Sequence, residues 1–577
     1  MDRLKALAAN AKVAPWMALA LGLVSALGFK PLGIWPLTLL AFTGLLFLIQ
    51  SARTWRLATF NGWMFGVGQF VLGLNWIATA FTYQAKMPAW LGWVAVVLLS
   101  LYLAVYPAIA ALVAKLLARR AAVALPLGLA AGWILGEWLR SFVFTGFAWN
   151  PVGVVLVDTP LRHLTVWVGT YALSGIAALL GGTVFWLAHL RWRPAFLTAA
   201  AIILALLVPR PQVIFNDGLT TFDVQAAGPP PANGPVDGDG NPIPTPPTLP
   251  PTEPETAPAP YPPPPPPAAS PAQSRSVSLP AIIRIVQPNI DQSDKWRPGF
   301  DRIAADRLTA LGFGLEESDI PATIVFWPEA AVTKPLYDER AQYGGNTAVE
   351  RVRAARGMAD FQTLVTGGVG IKSTDGRTID TAINSVFVLT PEASLAARYD
   401  KAHLVPYGEY LPMRWLLEPL GLSRLAPGNL DFDPGPGPDT IPLRRTAKRM
   451  GVQICYEIIF SGRVVDADDR PDFIFNPSND AWFGAWGPPQ HLAQARLRAT
   501  EEGLPVIRST PTGISAQIAA DGSVTARIGM GEAGIIDQPL QSPVDGGTLF
   551  SRFGNVLALA IALILAALSV ALSRRER

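Results

Sequence analysis

Cysteine is almost absent from the chain. Cys455 is the only one in 577 residues, which excludes an intrachain disulfide and leaves any exported part to hold together by packing alone. Histidine is nearly as scarce, and His163, His189, His403 and His491 are too scattered to give metal-ligand spacing, so no metal site is expected. Acidic residues are missing from one region in particular. Of 43 Asp and Glu, only Asp2, Glu137 and Asp158 precede position 210. The formal net charge is only +3 and forms no basic stripe, so nucleic acid is not an expected partner. A phosphate-binding P-loop is also lacking. Gly529-Met530-Gly531-Glu532-Ala533-Gly534 matches G-x-G-x-x-G, but Ile535-Ile536-Asp537 and Pro539 follow it where a helix would be needed, and no nucleotide or other cofactor is expected.

Long apolar runs fill the acid-poor third. Candidate membrane spans are 13–29, 35–49, 57–80, 90–114, 122–142, 166–188 and the shorter 196–208, with an eighth at 553–572. The last holds about 20 residues, roughly 30 Å as a helix, which matches a hydrocarbon core. Small residues at a cleavage site are wanting after the first run, and six more runs follow, so it reads as an anchor rather than a removed signal. Arg3, Lys5, Lys12, Arg53, Arg56, Lys115, Arg119, Arg120, Arg191, Arg193, Arg574, Arg575 and Arg577 fall at alternate ends of the spans, whereas Lys30, Lys86, Arg140 and Arg162 are the cations of the opposite short loops. The positive-inside rule then predicts both termini in the cytoplasm and the region between the seventh and eighth spans exported. Gly62 and Gly66 in the third span predict a close helix-packing face.

The expected organisation is a membrane domain of seven transmembrane helices over residues 1–210, a proline-rich linker over 211–279, a catalytic domain over 280–545, and an eighth transmembrane helix with a cytoplasmic tail over 550–577. The linker includes Tyr261 followed by six prolines and is semi-rigid where polyproline II dominates. In the soluble domain, strand-like runs at 282–286, 323–327, 364–369, 385–389, 452–455, 473–475, 506–508 and 514–518 are interspersed with helical stretches at 300–312, 347–357 and 491–502. That alternation predicts an α/β layered sandwich.

Polar residues close several of these runs. Glu329 ends Ile324-Val325-Phe326-Trp327-Pro328-Glu329, Lys401 follows Arg398-Tyr399-Asp400, and Cys455 ends its own run. Strand ends meet at a sheet rim, where a cleft gathers side chains. An ordinary thiol, with a pKa of about 8.5, is only ~3% thiolate at neutral pH, so a cysteine nucleophile needs a base or a cation. A carboxylate can take the proton and an ammonium can stabilise thiolate and oxyanion, which together perform acyl transfer. The same residues also read as a packed core thiol and as surface or capping charges. A Cys-His pair using His403 or His491 is equally open as chemistry. Sequence spacing alone does not assemble a site.

Trp327-Pro328-Glu329, Tyr399-Asp400-Lys401 with His403-Leu404-Val405-Pro406-Tyr407-Gly408-Glu409-Tyr410-Leu411-Pro412, and Ile454-Cys455-Tyr456-Glu457 resemble the Glu, Lys and Cys motifs of the nitrilase superfamily. More narrowly, they resemble the apolipoprotein N-acyltransferase family. Val286-Gln287-Pro288-Asn289-Ile290 leading to Lys295-Trp296, Asn476-Pro477-Ser478-Asn479-Asp480-Ala481-Trp482-Phe483-Gly484, and Glu137-Trp138-Leu139-Arg140 before Phe144-Thr145-Gly146-Phe147-Ala148-Trp149 fit the same family. The resemblance implies a multi-pass α-helical membrane domain joined to a nitrilase-like αββα sandwich in the bacterial inner membrane, with the catalytic domain periplasmic. It implies Glu329 as general base, Lys401 as the cation and Cys455 as nucleophile. Glu409 would support them, Tyr456 and Glu457 would shape the nucleophile loop, and Trp296 would sit on a mobile segment at the substrate entrance. The implied partners are a phospholipid acyl donor and a diacylglyceryl apolipoprotein acceptor, with the acyl group carried as a thioester in a ping-pong reaction. Two departures stand out: the proline tract is long for the family, and Ala148 replaces the proline usual there. A membrane-tethered nitrilase-like amidase and a non-enzymatic lipid- or lipoprotein-handling protein are the alternative readings.

Overall fold

Every residue of the strand Ile282–Gln287 is buried, which requires cover on both faces of its sheet. The computed structural model supplies it with a second sheet on one side and helices on the other. The structure describes residues 7–575 except 9, 84–86, 120, 210–280, 296, 298, 315–321, 422 and 426–429. The predicted linker 211–279 lies outside the described residues.

Thirteen strands are described: β1 (Ile282–Gln287), β2 (Ile324–Phe326), β3 (Pro335–Asp338), β4 (Thr363–Lys372), β5 (Thr381–Leu389), β6 (Leu395–Asp400), β7 (Thr440–Leu443), β8 (Lys448–Val452), β9 (Phe473–Pro477), β10 (Val506–Ser509), β11 (Ser515–Ile518), β12 (Val524–Ile528) and β13 (Gly534–Pro539). One sheet runs β13-β1-β2-β4-β5-β6, with β3 also on β4, and the other runs β12-β11-β10-β9-β8-β7. Each has a parallel centre, β1-β2-β4 and β8-β9-β10, flanked by antiparallel strands. Side chains alternate across each strand. Ile283, Ile285, Ile324 and Phe326 therefore meet Met450, Val452, Phe473 and Phe475 of the facing sheet. Val325 and Trp327 turn outward to Leu308 and Phe313 of the helix Phe300–Phe313. On the far side Ile474, Val506 and Ile518 pack on Leu492, Ala495 and Ala499 of the helix Gly487–Glu502. These are the four layers of an αββα sandwich.

The helix Gly487–Glu502 has a second neighbour. Its Ala493 and Leu497 join the apolar core formed by the N-terminal helices and the segment around Val152–Leu156. Polar residues on it bond across the same boundary: Trp149 Nε1 donates to Gln490 Oε1 at 2.8 Å, Asn150 N to Gln494 Oε1 at 3.2 Å, and Thr170 N to Glu501 Oε1 at 2.5 Å.

In the N-terminal part, Leu91–Leu117, Ala122–Arg140 and Pro160–Ala188 are long and apolar enough to cross a membrane, as is Val556–Arg575 near the C-terminus. Trp55–Gly73 with Trp76–Tyr83 would add a fifth as one span bent by 45°. The other predicted runs form shorter apolar helices, Ala14–Ala26, Trp35–Ser51 and Trp192–Leu207. A methyl on Gly62 would come within 2.5 Å of Ala111 Cβ, and one on Gly66 within 2.8 Å of Ala104 Cα, so these glycines do set a close helix contact.

Candidate active site

Three loops leave the sandwich at one end and carry the charged residues inward. Glu329 lies three residues beyond β2, Lys401 immediately follows β6, and Cys455 follows β8. The cysteine corrects one expectation. Its run does not continue as a strand to position 455: pairing stops at Val452, and Cys455 opens a 3-10 turn, Cys455–Ile459, with φ at +50°. A residue with a side chain takes that left-handed conformation only where its surroundings enforce it.

The charged groups form one buried network. Lys401 is 1% exposed and Glu329 6%. The Lys401 ammonium stands 3.6 Å from Glu329 Oε1 and 3.0 Å from Glu409 Oε1. Asn384 Nδ2, on β5, donates to both carboxylates, at 2.8 Å to Glu329 Oε1 and 2.9 Å to Glu409 Oε1. The second oxygens are held by backbone: Asn479 N donates to Glu329 Oε2 at 2.6 Å and Val405 N to Glu409 Oε2 at 2.8 Å. Gly367 of β4 lets the Glu329 loop approach, since a methyl there would lie 2.6 Å from Glu329 Cα.

Burial disfavours an ammonium, but the carboxylates of Glu409 and Glu329 outweigh it and hold Lys401 above its usual pKa. Burial also pushes the Cys455 thiol up, the Glu329 carboxylate pushes it further, and Lys401 pulls it back. A thiol in this setting stays protonated at neutral pH until a base takes its proton.

Glu457 ties the cysteine loop to the lysine loop. Its Oε1 accepts from Tyr399 OH at 3.0 Å, Ala402 N at 2.7 Å and His403 N at 3.0 Å, while Oε2 accepts from Ile454 N at 2.7 Å. Burial pushes this carboxyl up to about 7 against the pull of those backbone groups. Tyr456 points the other way, its hydroxyl donating to Gly146 O at 3.1 Å in the membrane domain. Trp296 lies outside the described residues.

Neither histidine is placed as a base for the thiol. His491 uses one ring nitrogen on the Cys455 carbonyl at 3.0 Å and the other beside Asp480 and Arg508, both at 3.1 Å. His403 lies tilted against Phe460, with ring centroids 4.1 Å apart, and burial and then Lys401 depress it to about 4. Sequence reasoning missed Asn384 and gave Lys295 no role. Asn384 sits inside the apolar run of β5 as its one amide, which is a legible signal for a buried partner. The Lys295 ammonium is buried 3.4 Å from the Glu329 carbonyl, and burial depresses it to about 8. Among the described residues, no group of three or more His, Cys, Asp or Glu is arranged to hold a metal.

Residues 21–183 match the model of the apolipoprotein N-acyltransferase N-terminal domain, and residues 283–544 match that of the carbon-nitrogen hydrolases. The chain is 32% identical to the apolipoprotein N-acyltransferase of Bradyrhizobium diazoefficiens over 97% of its own length and 94% of that protein. It is 33% identical to the one from Caulobacter vibrioides, over 95% and 93%. The chain belongs to the apolipoprotein N-acyltransferase family. Membership and the apolar helices make it a multi-pass membrane acyltransferase. Among solved structures it is similar to a Saccharomyces cerevisiae member of branch 10 of the nitrilase superfamily, at 16% identity over 46% of this chain and 93% of that one, with a TM-score of 0.32.

Proposed function

We propose that the protein moves a fatty acyl chain from a phospholipid to the α-amine of an apolipoprotein's diacylglyceryl-cysteine, with Cys455 carrying the chain as a thioester between the two. Glu329 takes the thiol proton as sulfur attacks the ester carbonyl. The oxyanion that forms is met by the Lys401 ammonium and by the N–H of Tyr456, which precedes the first hydrogen bond of its turn, Glu457 N to Ile454 O at 3.2 Å. The carbon–oxygen bond breaks, Glu329 returns the proton to the departing lysophospholipid oxygen, and the thioester remains. In the second half the amine attacks, Glu329 takes its proton, and the sulfur leaves and is reprotonated as the amide forms.

The observation that carries this reading is the buried network of Lys401 with Glu329 and Glu409, whose Glu329 and Lys401 charges act on a single buried thiol. Its attachment to apolar helices bears on the substrate: bringing a lipid's tails into water costs about 0.8 kcal/mol per CH₂, and a site docked on the membrane domain avoids that. Glu409 steadies Lys401, and Glu457 and Tyr456 hold the nucleophile loop. Family membership supports placement in the bacterial inner membrane, and the distribution of loop cations supports both termini cytoplasmic with the catalytic domain on the opposite, periplasmic side.

Intact mass of the purified protein after exposure to phospholipid tests the first half. An acyl-sized, hydroxylamine-sensitive increment is expected on the wild type and none on Cys455→Ser. An equal increment on both would sink the thioester. Adding a diacylglyceryl peptide should then yield N-acylated peptide, and release of free fatty acid in its place would instead mark an amidase-like hydrolase.

A further inference from the structure

Behind the Cys455 carbonyl lies a polar cluster that the chemistry above leaves unused. Asp480, His491 and Arg508 are each at most 1% exposed. Arg508 donates to Asp480 Oδ2 at 2.5 Å, to Ser478 Oγ at 3.1 Å, to Ile514 O at 3.2 Å and to Asn476. His491 completes the cluster on one side and reaches the nucleophile on the other, Nε2 lying 3.0 Å from Cys455 O. A carbonyl only accepts, so Nε2 carries a proton toward it, while Nδ1 lies 3.1 Å from both an Arg508 donor and Asp480 Oδ1. Burial and the adjacent guanidinium hold this imidazole below its usual pKa against the pull of Asp480 and the Cys455 carbonyl.

We propose that His491 is a positioning residue for the nucleophile, and that the membrane domain holds it in place through Trp149. The inference rests on the reading of Cys455 as the acyl carrier. In a planar trans peptide the Cys455 carbonyl and the Tyr456 N–H point in opposite directions. A grip on the carbonyl therefore fixes where the N–H faces, and it does so at a residue whose φ of +50° needs enforcement. Trp149 closes the other side. It is fully buried, its ring lies 5.1 Å from that of His491 and 4.5 Å from that of Trp76, and its Nε1 bonds Gln490, the residue before His491. Trp76 and Trp149 both belong to the matched N-terminal domain. The peptide that meets the oxyanion is thus aimed by a side chain wedged between the two domains.

The experiment compares two rates on Cys455 in the full-length protein: acyl-enzyme formation from phospholipid, and alkylation by iodoacetamide, which needs a thiolate but no oxyanion donor. His491→Leu is expected to slow acylation by about 100-fold, the usual effect of losing an oxyanion donor, with alkylation changed by no more than about threefold. His491→Gln, which keeps an amide donor at the same reach, should recover most of the acylation rate. Trp149→Ala should reproduce the split between the two rates, and the double variant with His491→Leu should be no slower than the slower single one. Acylation at the wild-type rate in His491→Leu overturns the inference. So does a parallel fall of both rates in the Leu and Gln variants, which marks the ring as mere packing, and if His491→Leu does not fold, the Gln and Trp149→Ala arms decide alone. A wild type that takes up no acyl group would instead overturn the thioester reading itself, so the two failures are distinct.

Discussion

Lys401 is closer to Glu409, at 3.0 Å, than to Glu329, at 3.6 Å. The ammonium is thereby anchored by one carboxylate while the other, held by Asn384 and the Asn479 amide, keeps a looser contact with it. Of the two, Glu329 is the carboxylate whose charge acts on the Cys455 thiol, which fits it for the proton transfer proposed above. Glu409→Gln removes the anchor and lets Lys401 close on Glu329. Turnover is expected to fall by about 100-fold, the scale of a misplaced catalytic group, with KM for phospholipid near the wild-type value. Steady-state kinetics in mixed micelles check this, and a rise in KM at constant kcat would contradict it.

Glu329→Gln should move two properties of Cys455 in opposite directions. The Glu329 charge raises the thiol's pKa and Lys401 lowers it, so removing the carboxylate takes away a cause of elevation. The iodoacetamide titration of Cys455 is expected to shift to lower pH. Acyl transfer should nevertheless drop by about 10² to 10⁴, because no base remains to take and return the proton. Lys401→Met carries the opposite sign for the titration, moving it to higher pH. A thiol titration that moves up in Glu329→Gln would show that the carboxylate does not act on the sulfur.

Much of this site was legible in residues, and much of what supports it was not. Cys455 stands out because it has no rival, and Ile324-Val325-Phe326 reads as a buried strand because apolar residues occupy consecutive positions. The backbone at Cys455 was illegible, since Val452-Gln453-Ile454-Cys455 has the composition of a strand and nothing local announces a left-handed turn. Asn384 acquires its meaning only from the fold: it pairs with Val369 across β4 and β5 and faces two carboxylates that are 25 residues and 55 residues away. What the helix Gly487–Glu502 packs against was illegible for a different reason. Gln490, Gln494, Arg498 and Glu501 recur at helical spacing and would ordinarily read as a solvated face, yet all four are at most 1% exposed. A polar face dictates hydrogen bonding, and here a second domain rather than water supplies the partners.

Glu457→Gln tests whether the brace between the lysine and cysteine loops matters. The carboxylate accepts four donors, three on Oε1 and one on Oε2. Glutamine can keep its carbonyl toward Tyr399, Ala402 and His403, but its amide then confronts the Ile454 N–H. An unsatisfied buried donor costs about 1–3 kcal/mol, and this one lies directly before Cys455. Thermal unfolding should show the loss of stability, and acylation should slow as well. Unchanged stability would mean that the loops are held together by something else.

Gly367→Ala separates backbone approach from side-chain chemistry. Gly367 sits within β4 at an ordinary strand conformation, so its value lies in what it allows near. An added methyl would lie 2.6 Å from both Glu329 Cα and Pro328 O and 2.8 Å from Ala330 N. These are main-chain atoms of a loop already tied to β4 by Gly367 N to Pro328 O at 3.2 Å and Val332 N to Gly367 O at 3.3 Å, so the clash must displace the loop itself. Overpacking of this kind costs about 1–3 kcal/mol, and a shift of about 1 Å in a catalytic group costs about 100-fold in rate. Gly368→Ala is the control. Its methyl would meet the side chains of Leu336 at 2.9 Å and Phe387 at 3.2 Å, which can repack without moving Glu329. Stability should fall in both variants, but turnover should collapse only in Gly367→Ala. Equal turnover in the two would show that Glu329 does not depend on its loop being pressed against β4.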